Sequence, residues 1–468
     1  MSAPTFFFYD LETSGLSSAD DRITQFAGQR TNLNLELVGD PFNLVVKLEN
    51  DTLPSPGAIL TTKITPQFTQ QEGIKERELA KILAEEIFTP ETIILGFNSV
   101  RFDDKFIQHL FWRNFYDPYE WQWKDGRSRW DMLDVVRMTR ALRPEEINWP
   151  TTPEGKPTNR LELITKLNGI SHESAHDALS DVTALIDVTR LIKEKQPNLF
   201  NFLFKLRDKR EVKALINPLK PAPFVYTSGR YGSEFNSTTV AYPLFLTKNG
   251  NCVVFDLRYD LAELLASLKS DKKSETPEAS QKLSSLLFPK VKELAFNRCP
   301  AVAPLSVLGK ADGWEKLSLS RDKIEKNLKT LENNRPLLEK LKAEFDSREE
   351  LKPGLDAESS LYSSFLPDED RLRLATVRNS DENSLADFHP LFKDPRLPDL
   401  LLHYKAKNFP NSLSEDENKK WEEYRQARLN RQAPLFLSEL EKFKKLGADD
   451  FILEELFLWY QSLTETDY

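Results

Sequence analysis

The stretch Phe6-Phe7-Phe8-Tyr9-Asp10-Leu11-Glu12-Thr13 reads as an apolar strand that ends in two carboxylates one residue apart. Side chains alternate between the two faces of a strand, so Asp10 and Glu12 point the same way at the edge of a core. Two hard oxygen donors fixed side by side are what a Mg²⁺ or Mn²⁺ site requires. The pair alone carries little weight, because on the order of ten D/E-x-D/E triplets would arise by chance at this acidic content. Two further pieces raise it. The apolar run Thr92-Ile93-Ile94-Leu95-Gly96-Phe97 is followed by Asp103, and His176-Asp177-Ala178-Leu179-Ser180-Asp181 sets a histidine and another carboxylate at a helix start.

Outward from these pieces, the first ~195 residues alternate strand-like and helix-like segments. Strands are expected over Phe6 to Asp10, Ile23 to Arg30, Phe42 to Leu48 and Ile93 to Phe97. Helices are expected over Ile74 to Phe88, Lys105 to Asn114, Met132 to Leu142, Arg160 to Asn168 and His176 to Glu194. That order predicts an α/β layer with a mixed sheet. After the Gln196-Pro197 break, Phe224 to Asp256 is rich in β-branched and aromatic residues, predicting a β-rich domain. A charged helical excursion is expected from Leu257 to Leu287, with Ser270 to Glu275 as an exposed loop. Beyond Ser318 the pattern is helical, with further helices around Leu361 to Thr376, Pro398 to Lys405, Glu415 to Arg428 and Leu435 to Leu463. The expected domains are 1–196, 197–348 and 349–468.

With 468 residues, 40% hydrophobic and 29% charged, the chain reads as an ordinary soluble protein of several domains. Met1-Ser2-Ala3-Pro4-Thr5 offers no basic n-region or cleavage site ahead of its short apolar run, so no secretory signal is expected, and no apolar run approaches the ~18 residues of a membrane span. Cys252 and Cys299 are too few for a disulfide framework or a cysteine-type zinc site, which predicts buried thiols and a reducing cytoplasm. The net charge of −9 argues against a nucleic-acid partner only on average. Lys193 to Lys220 holds eight basic residues against three acidic, while the tail after Leu435 holds eight acidic against three basic. A local positive surface is enough to hold DNA.

Four carboxylates and a histidine can cleave a phosphodiester with two divalent ions about 4 Å apart. Asp10 would bridge both ions, with Glu12, Asp103 and Asp181 completing the shells. Without cations, carboxylates so crowded would raise one another's pKa values. His176, at the entrance of a helix that carries Asp181 on a rigid face, suits a general base for the attacking water. Trp112, Phe115, Tyr116, Tyr119, Trp121, Trp123 and Trp130 interleave with Arg113, Lys124, Arg127 and Arg129, a composition suited to base stacking, although most aromatics in such a cluster belong to a core.

The order D-x-E, a strand followed by F-D, then H-x₄-D resembles the DEDD exonuclease superfamily, in its histidine branch. Phe102-Asp103-Asp104, Tyr116-Asp117-Pro118-Tyr119, Ser128-Arg129-Trp130-Asp131, Ala141-Leu142-Arg143-Pro144-Glu145, Ile147-Asn148-Trp149-Pro150, Ala175-His176-Asp177-Ala178 and Asn408-Phe409-Pro410 extend the likeness, over nearly the whole length, to the bacterial exonuclease I family. The resemblance implies a ribonuclease H-like exonuclease domain, an SH3-like domain and a helical C-terminal domain. It implies processive 3′→5′ digestion of single-stranded DNA to 5′-mononucleotides in repair and recombination, with two Mg²⁺ ions for which Mn²⁺ substitutes. Metal ligands carry over to Asp10, Glu12, Asp103 and Asp181 and the general base to His176. Asp104 is the alternative to Asp103.

The same resemblance places Arg160, ahead of Leu161-Glu162-Leu163, near the scissile phosphate together with Glu12, where a guanidinium is the natural partner. A salt bridge to Glu162 is the competing reading. Lys405 and Lys407 stand where the family keeps arginines, which preserves charge for a phosphate contact but not bidentate geometry. A further implied partner is single-stranded DNA-binding protein through its acidic C-terminal tail, with Arg143 matching one basic receptor position. Near Leu308-Gly309-Lys310 the basic pattern of the receptor is lost. A monomer in the cytoplasm is the family expectation. Two other functions fit the motifs less well: a 3′→5′ exoribonuclease of the same superfamily, which needs only the first ~190 residues, and a catalytically silent scaffold on single-stranded DNA, which would have a damaged carboxylate set.

Overall fold

The structure, a computed structural model, describes residues 3–172, 177–260, 290–309, 312–346 and 354–464. Along the chain come strands β1 (Thr5–Thr13), β2 (Ile23–Thr31), β3 (Leu37–Val45) and β4 (Thr92–Gly96), then helices α1 (Asp103–Arg113), α2 (Met132–Leu142) and α3 (Ala178–Lys195). Strands β5 (Phe224–Thr227), β6 (Thr238–Leu246), β7 (Cys252–Asp256), β8 (Val291–Leu294) and β9 (Ala301–Pro304) follow. The principal C-terminal helices are α4 (Leu397–Asn408), α5 (Glu415–Lys445) and α6 (Asp450–Thr464). Two compact units emerge: Met1–Ser128 with His172–Ile186 and Leu351–Tyr468, and Arg129–Ser171 with Asp187–Glu350.

In the first unit the strands lie in the order β3-β2-β1-β4. β1 runs antiparallel to β2 and parallel to β4, so the sheet is mixed, as the alternation of elements predicts. The run Phe6-Phe7-Phe8-Tyr9 is buried throughout, which marks β1 as a central strand covered on both faces. Phe7, Tyr9 and Leu11 pack with Phe106, Ile107, Leu110 and Phe111 of α1, fixing that helix to one face. Asp10 and Glu12 alternate to the other. β3 begins at Leu37, five residues before the expected Phe42, because Gly39, Asp40 and Pro41 mask it; an exposed edge strand tolerates such residues.

The C-terminal helices join this unit through two apolar clusters. Leu429, Phe436 and Leu440 of α5 and Ile452, Leu456 and Trp459 of α6 pack on Leu48, Leu53 and Ile59. Leu397, Leu400, Leu401 and Tyr404 of α4 pack with Trp112 and Phe115. The expected break between Arg428 and Leu435 does not occur. Helix α5 is 31 residues long and continues through Pro434. An interior proline costs about 3 kcal/mol, which the burial of Leu429, Phe436 and Leu440 on either side offsets.

The second unit contains an antiparallel five-stranded sheet in the order β9-β5-β6-β7-β8, the β-rich domain expected from Phe224 onward. Strands β8 and β9 are only four residues each, too short for periodicity to reveal. Helix α2, with the expected bounds, packs on β5, β6 and β9. Cys252 and Cys299 are buried and not joined in a disulfide. Residues 261–289, which hold most of the expected helical excursion and its loop, lie outside the described residues. No described helix is long and apolar enough to cross a membrane.

Candidate metal centre

Strand β1 delivers the first two carboxylates. Its register with β2 sets Asp10 opposite Ala27 and Glu12 opposite Gln25, and a bulge then ends regular pairing between Glu12 and Thr13. The turn after it depends on close packing: a Cβ on Gly15 would lie 2.4 Å from the Asp21 carboxylate, which accepts the Ser17 N–H at 2.8 Å.

The third carboxylate arrives from α3. Asp177 caps this helix by accepting the Ser180 N–H at 3.1 Å, and Gln25 Nε2 reaches Asp177 at 3.4 Å. Because Gln25 is the β2 residue opposite Glu12, the helix start is tied to the strand pair that carries the site. Asp181, in the first turn of α3, then comes forward so that one oxygen each of Asp10, Glu12 and Asp181 lies within 4.8 Å of the others.

Asp103 opens α1 and is buried. Its charge, with those of Asp181 and Glu12, adds to burial in raising the Asp10 carboxyl well above the ordinary range. Glu12 is pushed up to about 8, first by burial, then by Asp181, Asp103 and Asp177. Asp104 has a different task. It accepts the Tyr9 hydroxyl at 2.6 Å on the side of the sheet where α1 packs, locking the helix start to β1.

All-oxygen donors converging at this spacing, with the proton affinity of Asp10 and Glu12 raised by burial and by their neighbours' charge, fit a hard divalent cation, which would compensate the repulsion. A pH dependence follows. Metal-free, Glu12 holds its proton in the folded chain up to about pH 8 but releases it near 4.5 when unfolded. Its contribution to stability is therefore complete below pH 4.5 and is lost as pH rises through about 8. In EDTA, Glu12→Gln should match wild-type stability near pH 5 and exceed it at pH 8.5, by on the order of a few kcal/mol. Denaturant unfolding at the two pH values measures this, and saturating Mg²⁺ should remove the difference in favour of wild type.

His176 lies outside the described residues. His172, which the sequence pattern did not single out, bonds Asp181 through Nε2 at 2.7 Å. Arg160, in the second unit, pairs with Glu162, the competing reading of its motif. Arg143, just past the end of α2, is half-buried and donates to the Leu142 carbonyl at 2.5 Å.

Lys405 and Lys407 require a correction. Lys405 is buried and doubly bonded to Glu417 at 2.8 Å. Lys407 is held by Glu358 at 2.7 Å and Asp51 at 3.0 Å. Both ammonium groups are committed to internal ion pairs rather than offered to a phosphate. The aromatic cluster is also mostly structural. Trp112, Phe115, Trp121 and Trp130 are buried, and Arg113 is taken by Glu76 at 2.8 Å. Trp123 alone of its tryptophans is exposed.

Three family descriptions match the chain: Exonuclease over residues 7–189, Exonuclease I SH3-like domain over 207–347 and Exonuclease I C-terminal domain over 355–463. Exodeoxyribonuclease I of Escherichia coli strain K12 is 38% identical over 452 residues, 95% of this chain and 94% of that protein. The chain belongs to the exodeoxyribonuclease I family. The family protein of Haemophilus influenzae is 36% identical over 452 residues, 95% of each chain. Among solved structures of exonuclease I, the E. coli protein in complex with a dA16 oligonucleotide superposes with a TM-score of 0.91 at 35% identity, over 98% of this chain and 100% of that one. The zinc-bound form of the E. coli exonuclease I complex with single-stranded DNA gives 0.90 at 34%. A structure of SSB/exonuclease I with an inhibitor gives 0.88 at 34%, and each of these two covers 99% of this chain and 100% of the other. The exonuclease I architecture is thus an exonuclease domain with a mixed sheet, an SH3-like domain and a helical C-terminal domain.

Proposed function

We infer that the chain is a processive 3′→5′ exonuclease that hydrolyses single-stranded DNA to 5′-mononucleotides. The observation that carries the reading is the convergence of Asp10, Glu12 and Asp181 within 4.8 Å, with Asp103 close enough to raise the proton affinity of both β1 carboxylates. A full-length relationship to proteins named exodeoxyribonuclease I, one of them solved with an oligonucleotide, supports the substrate class.

Asp10, Glu12, Asp103 and Asp181 would hold two Mg²⁺ ions, for which Mn²⁺ would substitute. When bound, the cations would supply Lewis-acid stabilisation of the scissile phosphate and make the attacking water more acidic. Asp103 rather than Asp104 is the fourth ligand, because the Asp104 carboxylate is buried against the Tyr9 hydroxyl. His176 takes the proton from the attacking water, a role supported by its place just before the capping Asp177. Arg160 steadies the phosphate with Glu12. The operating domains are 1–196, 197–348 and 349–468, and the last two keep the strand engaged between cuts.

The protein partner is single-stranded DNA-binding protein, a reading that a solved structure of SSB/exonuclease I supports; the contact is made by its acidic C-terminal tail, with Arg143 contributing. The enzyme acts as a cytoplasmic monomer in DNA repair and recombination. Digestion of a 5′-labelled single-stranded oligodeoxynucleotide with Mg²⁺ tests the activity, beside the same sequence as RNA and as duplex. Shortening of the single-stranded DNA from its 3′ end, with RNA and duplex intact, is the expected result. Equal digestion of RNA would favour the exoribonuclease, and binding without digestion the silent scaffold.

A further inference from the structure

We propose that His172 is a positioning residue for the carboxylate cluster: its Nε2–H holds Asp181 in the orientation that ligates a cation. The inference rests on the metal-dependent reading above.

His172 and Asp181 are nine residues apart, one before the helix and one in its first turn, and they meet at 2.7 Å from Nε2 to Oδ1. A carboxylate that ligates a cation is deprotonated and only accepts hydrogen bonds, so in that state the nitrogen facing it carries the proton. The imidazole is almost fully buried, at 4% exposure, while Asp181 keeps 19%. The ring is thus the fixed partner and the carboxylate the one being directed. An aspartate at the water-facing edge of a cluster of like charges has reason to rotate away, since Asp10 and Glu12 repel it. A short bond from a buried donor opposes that rotation and draws off part of the negative charge.

The carboxylate has the capacity for both roles, because its two oxygens offer about four acceptor positions. The Asp177 cap and Gln25 from β2 set the backbone beneath Asp181, and the His172 bond acts on its side-chain torsion. A carboxylate ligand held by a further hydrogen-bond partner is a recurrent device of metal sites, and losing the partner typically costs about 10–100-fold in metal affinity.

The test uses the full chain and Mn²⁺ alone as the probe, with free Mn²⁺ followed by electron paramagnetic resonance at fixed pH. His172→Ala should weaken Mn²⁺ binding by about tenfold or more. His172→Gln, whose amide N–H can replace Nε2–H, should stay within about threefold of wild type. In activity assays, His172→Ala should need correspondingly more Mg²⁺ for half-saturation and recover most of its kcat at saturating Mg²⁺. Mn²⁺ affinity in His172→Ala equal to wild type, or tighter, would overturn the proposal. So would a His172→Gln variant as damaged as His172→Ala, which would mean that the ring itself is required. Asp10→Ala serves as the control that separates the two levels of inference. If it binds Mn²⁺ like wild type, the metal-centre reading fails; if it alone loses binding while His172→Ala does not, only the role of His172 fails.

Discussion

Asp10→Asn should lower kcat on single-stranded DNA at saturating Mg²⁺ by at least about 10³-fold, which corresponds to about 4 kcal/mol of lost transition-state stabilisation. The size follows from where Asp10 stands. It lies on the central strand β1, shares a face with Glu12, and is within reach of Asp181. Its proton affinity is raised by burial and then by Asp103, Asp181 and Glu12, which makes it the common neighbour of the other three. A neutral amide keeps the shape and one acceptor oxygen but removes the charge that balances a divalent cation. The fold should not suffer. Metal-free Asp10→Asn should melt no lower than wild type at pH 8, since the substitution relieves repulsion rather than breaking a contact. Retention of more than a tenth of wild-type kcat would exclude Asp10 from the site, and a lowered melting temperature would mean that the loss of activity came from the fold.

Glu358→Ala should have the opposite profile, a large loss of stability. Glu358 is almost fully buried and accepts from Arg22 at 2.6 Å, Lys407 at 2.7 Å and His403 at 3.2 Å. Burial alone would raise its pKa, but Lys407 and Arg22 outweigh it and hold the carboxyl well below the usual range. The surrounding network is dense: Asp51 takes Lys407 at 3.0 Å, Arg428 at 3.5 Å and Arg22 at 3.6 Å, while Arg22 also lies 3.8 Å from Glu76. Removing Glu358 takes the shortest carboxylate contact from both Arg22 and Lys407, leaving Arg22 with Asp51 at 3.6 Å and Glu76 at 3.8 Å and Lys407 with Asp51 at 3.0 Å, and breaking one partner of such a network costs roughly 3–5 kcal/mol. That is a large share of a typical folding free energy of about 5–15 kcal/mol. Urea unfolding of wild type, Glu358→Gln and Glu358→Ala measures the cost. A loss below about 1 kcal/mol would mean that the network is not what holds the C-terminal helices to the first sheet.

The contrast between these two residues shows what the sequence carried. Asp10 and Glu12 were legible because their geometry is local: an apolar run fixes the strand, and the two-residue period fixes the face. Helix α2 was legible to the residue because its apolar positions are periodic and Asp131 caps it by accepting the Leu133 N–H at 3.0 Å. The Arg22, Asp51, Glu76, Glu358, Lys407 and Arg428 network was not, because its members are scattered over more than 400 residues and each alone looks like an ordinary surface charge. Lys405 and Lys407 misled for the same reason, since a lysine bound for a buried carboxylate cannot be told in sequence from one bound for a phosphate. His172 escaped notice because nothing local distinguishes it from the second histidine four residues later; only its contact with Asp181 in the folded chain sets it apart. What distinguishes Asp104 from Asp103 also lies in the sheet, since the Asp104 carboxylate accepts the Tyr9 hydroxyl.

The most direct test of the metal centre is a crystal of the full chain soaked in Mn²⁺ with a short single-stranded oligodeoxynucleotide, with the metal located by anomalous scattering. Two peaks about 4 Å apart are expected, both ligated by Asp10, with Glu12, Asp103 and Asp181 at about 2.0–2.3 Å from one or the other. A map with the oligonucleotide bound and no Mn²⁺ within ligand distance of Asp10 would contradict the account.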